Sequence, residues 1–289
     1  MSEGIVQRNV VRIDDPRVEV GMHALHRVRA LVKPGNWAET DPFLLLMEDW
    51  FPRGTFGPHP HRGIETVTYV LEGEVEHRDS RGHTGSIRPG EAQWMTAGRG
   101  LLHSEAPPEG VLAHCLQLWV NLPADLKMTE PRYQDLTAAT LPVRREPGAE
   151  ITVFSGASGE VRAETLNHVP VTMLRVRLEP EASTALALPS DQRAFLVTLS
   201  GEGRVAGDDE DTPVRAGQVA WLSDTPSASG SEVGVHASSD GPFEIILFGG
   251  RPLGEPVVAR GPFVMNTEAQ IREAYRDFMA GRFGTLDDS

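Results

Sequence analysis

His59-Pro60-His61-Arg62-Gly63-Ile64-Glu65-Thr66-Val67-Thr68-Tyr69-Val70-Leu71-Glu72-Gly73 sets two imidazoles at i and i+2 and then alternates as a β-strand. Side chains on a strand point to opposite faces with a period of two, so His59 and His61 leave the chain on one side. Val67, Tyr69 and Leu71 share a face in the same way, and Gly73 starts a turn. Further along, His103-Ser104-Glu105 repeats the i, i+2 spacing with an imidazole and a carboxylate. Two such strands facing each other across a barrel bring three nitrogens and one oxygen to a common point. That donor set suits a divalent first-row metal with coordination positions left for water or substrate.

Around this stretch, short apolar runs are punctuated by 29 glycines and 22 prolines, which is the pattern of antiparallel all-β folds. Leu112 to Leu122 reads as a long strand ended by Pro123, and Pro89-Gly90 precede a strand expected to end at His103. The chain also repeats itself. Tyr69-Val-Leu-Glu-Gly-Glu74 matches Val197-Thr-Leu-Ser-Gly-Glu202, and Arg88-Pro-Gly-Glu-Ala-Gln-Trp94 matches Arg215-Ala-Gly-Gln-Val-Ala-Trp221, at offsets of 128 and 127. Collinear matches imply two copies of one barrel. At this offset the positions corresponding to His59 and His61 are Ala187 and Pro189, so the second copy is expected to lack metal ligands. The polar segment from Leu141 to Ala149 is the expected junction, giving domains at 1–140 and 141–289. Near the end, Asn266-Thr267 with Gln270 forms a capping-box start. Ile271, Ala274, Tyr275, Phe278 and Met279 then make one helical stripe that Gly281 closes, placing a short helix against a barrel wall.

Bulk properties narrow the function. A length of 289 residues suits two domains, and 39% hydrophobic residues provide two cores. A net charge of -14 without any Lys/Arg run argues against nucleic acid. The longest apolar runs, Phe43 to Met47 and Ile245 to Phe248, are too short for a membrane span. A single cysteine, Cys115, excludes an intrachain disulfide, and the start has no apolar signal core, so a reducing, cytoplasmic setting is expected.

Two carboxylates compete as the fourth donor. Glu65 completes the spacing HxHxxxE, which resembles the first motif of the cupin superfamily, and Glu105 shares a strand face with His103. Spacing alone leaves both open. A more specific resemblance covers most of the chain, thinly through residues 140–240. It is carried by His59 to Gly73, Gly82-His-Thr-Gly85, Gln93 to Glu105, Leu116 to Pro123 and Gly261 to Thr267, with support from the DPFLLLMED and KMTEPRYQ segments. These are similar to the pirin family of bicupins. The resemblance implies an all-β chain of two tandem cupin domains (antiparallel, jelly-roll-like β-barrels), the second empty of metal. It implies His59, His61, His103 and Glu105 as metal ligands, with Glu65 in the barrel wall or behind the ligands. The implied ion is Fe(II), with nickel, manganese, cobalt, copper or zinc as alternatives for such a donor set.

The implied activity is that of a quercetin 2,3-dioxygenase-like oxidoreductase. A flavonol-like aromatic and O2 are the substrates, and Glu105 is the base that takes the 3-hydroxyl proton before the heterocycle opens and carbon monoxide leaves. The alternative is a non-enzymatic regulator whose metal oxidation state sets its affinity for a protein partner. Remaining candidates read as structural. His77 and His83 belong to a hairpin region, with His83 stabilising a turn. His114 and Gln117 lie on opposite faces of their strand, Trp94 and Met95 fill a core, and Cys115 is a small buried hydrophobe. His23 and His26 read as surface residues, and Asp208 to Asp211 as a solvated hairpin tip.

Overall fold

The computed structural model describes residues 4–225 and 229–286, and these build two β-barrels. The first has a seven-stranded sheet in the order Arg132–Leu136, Ala92–Thr96, Ile64–Glu72, Leu112–Asn121, Phe43–Pro52, Arg27–Val32, Glu19–Val20. Its second sheet runs His59–His61, Leu101–Ala106, Val75–Asp79, Thr84–Ile87. The second barrel repeats this plan. Arg193–Ser200 lies between Phe243–Gly250 and Val219–Leu222, as Ile64–Glu72 lies between Leu112–Asn121 and Ala92–Thr96.

The equivalence can be read residue by residue from strand pairing. Trp94 faces Val67 in one barrel and Trp221 faces Phe195 in the other. Glu105 pairs with His77, and the corresponding pair is Val235 with Val205. His103 pairs with His59, and the corresponding pair is Val233 with Leu186. The counterparts of His59 and His61 are therefore Leu186 and Leu188, one residue before the expected Ala187 and Pro189. Alternation explains the difference, because strand Ser183–Leu188 buries only every second side chain and Ala187 faces out. By the same pairing, Thr68 corresponds to Leu196 and Gln117 to Leu247. The second barrel thus fills the matching volume with buried aliphatic side chains. At the positions matching His59, His61, His77, His103 and Glu105 it carries Leu186, Leu188, Val205, Val233 and Val235.

The division of the chain departs from the expected contiguous domains. The segment ending at Pro16 clusters with Thr140–Pro252, and the segment from Leu253 onward clusters with Arg17–Ala139. Strand Val10–Asp14 pairs with Val219–Leu222 at the sheet position that Arg132–Leu136 holds in the first barrel. The hairpin of Val143–Glu146 and Ala149–Ser155 occupies the expected junction, so that segment is an edge of the second barrel. Helix Glu268–Met279 starts at the expected capping box on Thr267 and Gln270. It packs Ile271 and Ala274 with Phe263, Met265 and Phe283, and Leu102 of the first barrel lies against that cluster. The apolar stripe is only half used, since Met279 is 81% exposed. Residues 92–106 form two strands, Ala92–Thr96 and Leu101–Ala106, where one was expected. Gly98 and Gly100 between them adopt positive φ, the left-handed region that favours glycine.

Candidate metal centre

The inner face of the smaller sheet in the first barrel carries the site. Strand alternation turns His59 and His61 from one strand and His103 and Glu105 from its neighbour toward the same interior. The ring centroids of His59 and His103 lie 4.3 Å apart, and His61 lies 5.0 Å from each of them. One nitrogen from each ring falls within 4.8 Å of the other two. Three of the four donors anticipated from the spacing thus converge, without Glu105 among them.

Backbone carbonyls set two of the rings. His59 Nδ1 lies 2.8 Å from the Gly57 carbonyl oxygen and His61 Nδ1 lies 3.3 Å from that of Pro262. Carbonyls accept only, so these contacts favour the Nδ1–H tautomer and leave each Nε2 lone pair for a ligand. His103 is 1% exposed, and both of its ring nitrogens lack a protein partner. Burial, and then the neighbouring His59, push the His61 pKa down to about 3. Burial followed by His59, His61 and His77 holds His103 well below the ordinary imidazole value. Both rings are therefore neutral, the form that coordinates metal.

The carboxylates separate clearly. Glu105 Oε1 accepts the Thr68 hydroxyl at 2.5 Å and Oε2 accepts Gln117 Nε2 at 2.8 Å. Glu65 lies three residues from Thr68 on the same strand and so projects from the opposite face, where its Oε1 accepts from Thr96 at 2.7 Å. Glu105 is not drawn into the triad of His59, His61 and His103. Its carboxylate falls within 4.8 Å of ring nitrogens of His77 and His103.

His77 is the residue that sequence reading missed. It lies in the hairpin region expected, on strand Val75–Asp79 paired with Thr84–Ile87, and is 1% exposed with both ring nitrogens unpartnered. The available signal was His77-x-Asp79, a third i, i+2 pair on the strand beside His103-x-Glu105. His26 also departs from expectation. It is buried, with Nε2 2.8 Å from Asp49 Oδ1, and both residues line the cavity described below. His23 is exposed, His114 bonds Glu48 away from the centre, and Trp94, Met95 and Cys115 are buried as anticipated. The main-chain N–H groups of Arg81 and His83 both donate to Asp79 Oδ1, closing the turn.

His59, His61 and Glu105 open onto a cavity of about 550 Å³. Its walls are mainly apolar, with Met22, Leu45, Met47, Phe51, Phe56 and Trp119 contributing. That size and composition match sites for small organic molecules. Among the described residues, no helix is long and apolar enough to cross a membrane.

Comparison with known proteins agrees with this architecture. Residues 27–120 match the family model described as Pirin, and residues 173–284 match the Pirin C-terminal cupin domain. Pirin of Homo sapiens is 39% identical over 260 residues, 89% of this chain and 88% of the relative. The crystal structure of GK1651 from Geobacillus kaustophilus superposes with a TM-score of 0.84 at 47% identity, covering 88% of this chain and all of that one. The crystal structure of a quercetin 2,3-dioxygenase from Acinetobacter baumannii superposes with a TM-score of 0.83 at 31% identity, covering 98% of this chain and 100% of that one. With two matched family regions, a relative aligned over most of the chain and two barrels of one plan, this protein belongs to the pirin family of two-cupin proteins.

Proposed function

We propose that the chain is a metal-dependent dioxygenase of the quercetin 2,3-dioxygenase type, cleaving a flavonol or similar aromatic with O2 and releasing carbon monoxide. One observation carries the reading: His59, His61 and His103 converge beside an apolar cavity into which the Glu105 carboxylate also opens. The likeness to the Acinetobacter baumannii enzyme supports it. His59, His61 and His103 would hold the ion, with Glu105 as the nearby carboxylate. The unpartnered buried nitrogens of His103 fit that role, because a buried imidazole without a partner is costly. An iron(II) ion would supply Lewis acidity toward the substrate oxygen and one-electron chemistry toward O2.

The protein's own groups handle the proton. Glu105 faces the cavity and takes the hydroxyl proton of the substrate. Thr68 and Gln117 prepare it for this exchange. In the ionised state the Thr68 hydroxyl donates to Glu105 Oε1. Once that oxygen carries a proton, it can donate to Thr68 Oγ1, whose own hydrogen turns to Gln117 Oε1 at 3.0 Å. The apolar walls exclude water and cover the faces of a flat aromatic ring.

The test is anaerobic reconstitution with Fe(II) followed by quercetin and air. Loss of the flavonol's long-wavelength absorbance is expected, and Glu105→Gln should abolish it while retaining part of the metal. Absence of turnover with every first-row ion would refute the enzyme and favour a redox-dependent partner-binding role. That alternative would show as a protein retained by only the Fe(II) or only the Fe(III) form.

A further inference from the structure

We propose that Arg62, Arg81, Arg99 and Arg282 build an anion site where the end of helix Glu268–Met279 meets the first barrel, and that it takes a small ligand bearing a phosphate group, free or as a monoester. The four side chains line one pocket of about 370 Å³. Its lining shares no residue with the cavity at the metal centre, which takes in His61 but not Arg62. Strand alternation accounts for the separation, because consecutive side chains leave the chain on opposite faces. The pocket also runs against the charge of the molecule. The chain carries a net -14, yet four of its 27 Lys and Arg side chains meet here.

The guanidiniums outnumber their carboxylates two to one. Asp277 Oδ2 accepts from Arg62 Nη2 at 2.9 Å, and its Oδ1 accepts from Arg282 Nε at 2.8 Å. Arg81 Nη1 and Arg99 Nη2 each lie 3.1 Å from one atom, Glu130 Oε2. Among the described residues, Asp277 and Glu130 are the ion-pair partners of all four, which leaves two positive charges unmatched. That surplus is close to the charge of a phosphate group near neutral pH.

Arg62 gives the pocket a fixed wall. Its side chain is only 5% exposed although it bears a full charge. The guanidinium lies 4.7 Å from the centroid of the Phe283 ring, and Nε donates to the Arg99 carbonyl at 2.6 Å. Phe283 is itself packed on Gly100, where a Cβ would come within 2.6 Å of the ring. Arg62 Nη1 makes no hydrogen bond to the protein among the described residues. A buried guanidinium that shares its carboxylate and keeps one nitrogen free is incompletely compensated, and an anion in the pocket supplies what is missing. Phosphate suits the role, because its oxygens accept from several planar N–H groups at once. Arg81 and Arg99 serve the ligand from the exposed side. They already converge on one oxygen, and the Glu130 side chain that supplies it is 66% exposed, so a stronger anion displaces it at little cost.

The inference is independent of the metal and of the proposed reaction. Full-length protein in a buffer free of phosphate and sulfate is titrated calorimetrically with inorganic phosphate and, separately, with glycerol 3-phosphate. Wild type, Arg81→Gln/Arg99→Gln and Glu130→Gln are compared, with circular dichroism as the check on folding. Glu160→Gln, at an exposed position of the second barrel, controls for the change in net charge. Wild type should bind at least one probe, and the double variant should bind it about tenfold more weakly. Glu130→Gln should bind about threefold more tightly, since the competing carboxylate is gone. Tighter binding of glycerol 3-phosphate assigns a phosphate monoester as the ligand, and equal or weaker binding assigns free phosphate. No binding by wild type, undiminished binding by the double variant, or no gain in Glu130→Gln beyond that in Glu160→Gln overturns the site. Should the double variant fail to fold, the comparison of Glu130→Gln with Glu160→Gln decides alone.

Discussion

Replacing His103 with leucine should make the metal-free protein more stable while removing its response to metal. In the wild type the ring is 1% exposed and neither nitrogen has a protein partner. Each unsatisfied buried polar group costs about 1–3 kcal/mol, so the donor and acceptor together cost roughly 2–6 kcal/mol. Leucine of similar volume removes both, at a packing mismatch of under about 1.5 kcal/mol. The net gain is therefore about 2 kcal/mol, and the second barrel already uses an aliphatic residue, Val233, at the matching position. For a unit of this size such a gain raises Tm by about 4–8 °C. Metal has the opposite effect, since an ion at one hundred times its Kd stabilises the wild type by about 2.7 kcal/mol. The two proteins should exchange rank on addition of nickel(II) or zinc(II). Differential scanning calorimetry of chelator-treated and metal-loaded samples measures both effects on the first-barrel transition. A metal-free variant less stable than metal-free wild type, or a variant with an undiminished metal shift, would refute the reasoning.

Other expectations follow from single contacts. Gly63 has φ +81° and a Cβ there would lie 2.0 Å from the Val264 carbonyl oxygen, so Gly63→Ala should cost about 3 kcal/mol and expose the C-terminal segment to limited proteolysis. Lys127 Nζ donates to Asn121 Oδ1, the Gly63 carbonyl and the Val264 carbonyl at 2.7–3.0 Å, and burial lowers its pKa from 10.5 to about 7. The unfolded chain then holds more protons between about pH 7 and 10.5, so this group makes stability rise with pH across that window. Lys127→Met should flatten that rise in urea denaturation curves taken at pH 7 and pH 9. Cys115 is buried, and burial followed by Asp49, Glu105 and Glu48 raises its thiol pKa well above the ordinary value. It should resist Ellman's reagent in the native protein and react fully in guanidinium, and rapid native labelling would contradict the packing. Thr68→Val should lower turnover more than metal affinity, as measured by kcat against chelator competition, because Thr68 donates to the Glu105 oxygen that takes the proton in the proposed reaction.

Sequence periodicity conveyed what depends on local geometry. His59 and His61, and likewise His103 and Glu105, were assigned to common faces because strand alternation is fixed by the backbone itself. Glu105 and Glu65 could not be distinguished by spacing, since the choice depends on which face of strand Ile64–Glu72 meets the cavity. Val67 and Tyr69 are buried as expected, but Thr66, Thr68 and Val70 are buried too, because both faces of this sheet are covered. His77 was read only as part of a hairpin, because its pairing with Glu105, 28 residues away, is set by the ladder and cannot be read from local spacing. His26 was misread for a similar reason, as Asp49 reaches it from an adjoining strand. The exchanged terminal segments left no periodic trace. Val10–Asp14 reads as a strand in isolation, and only its pairing with Val219–Leu222 assigns it to the second barrel.

The carbonyl that orients His61 belongs to Pro262, 201 residues further along the chain. Arg62, next to that histidine, is anchored through Asp277, and Lys127 reaches the Val264 carbonyl. The first 140 residues therefore contain every proposed ligand but not the carbonyl that orients His61. The contact that orients His61 forms only once the chain beyond Pro262 is in place, so the geometry of the proposed centre is completed by the last part of the chain to be made.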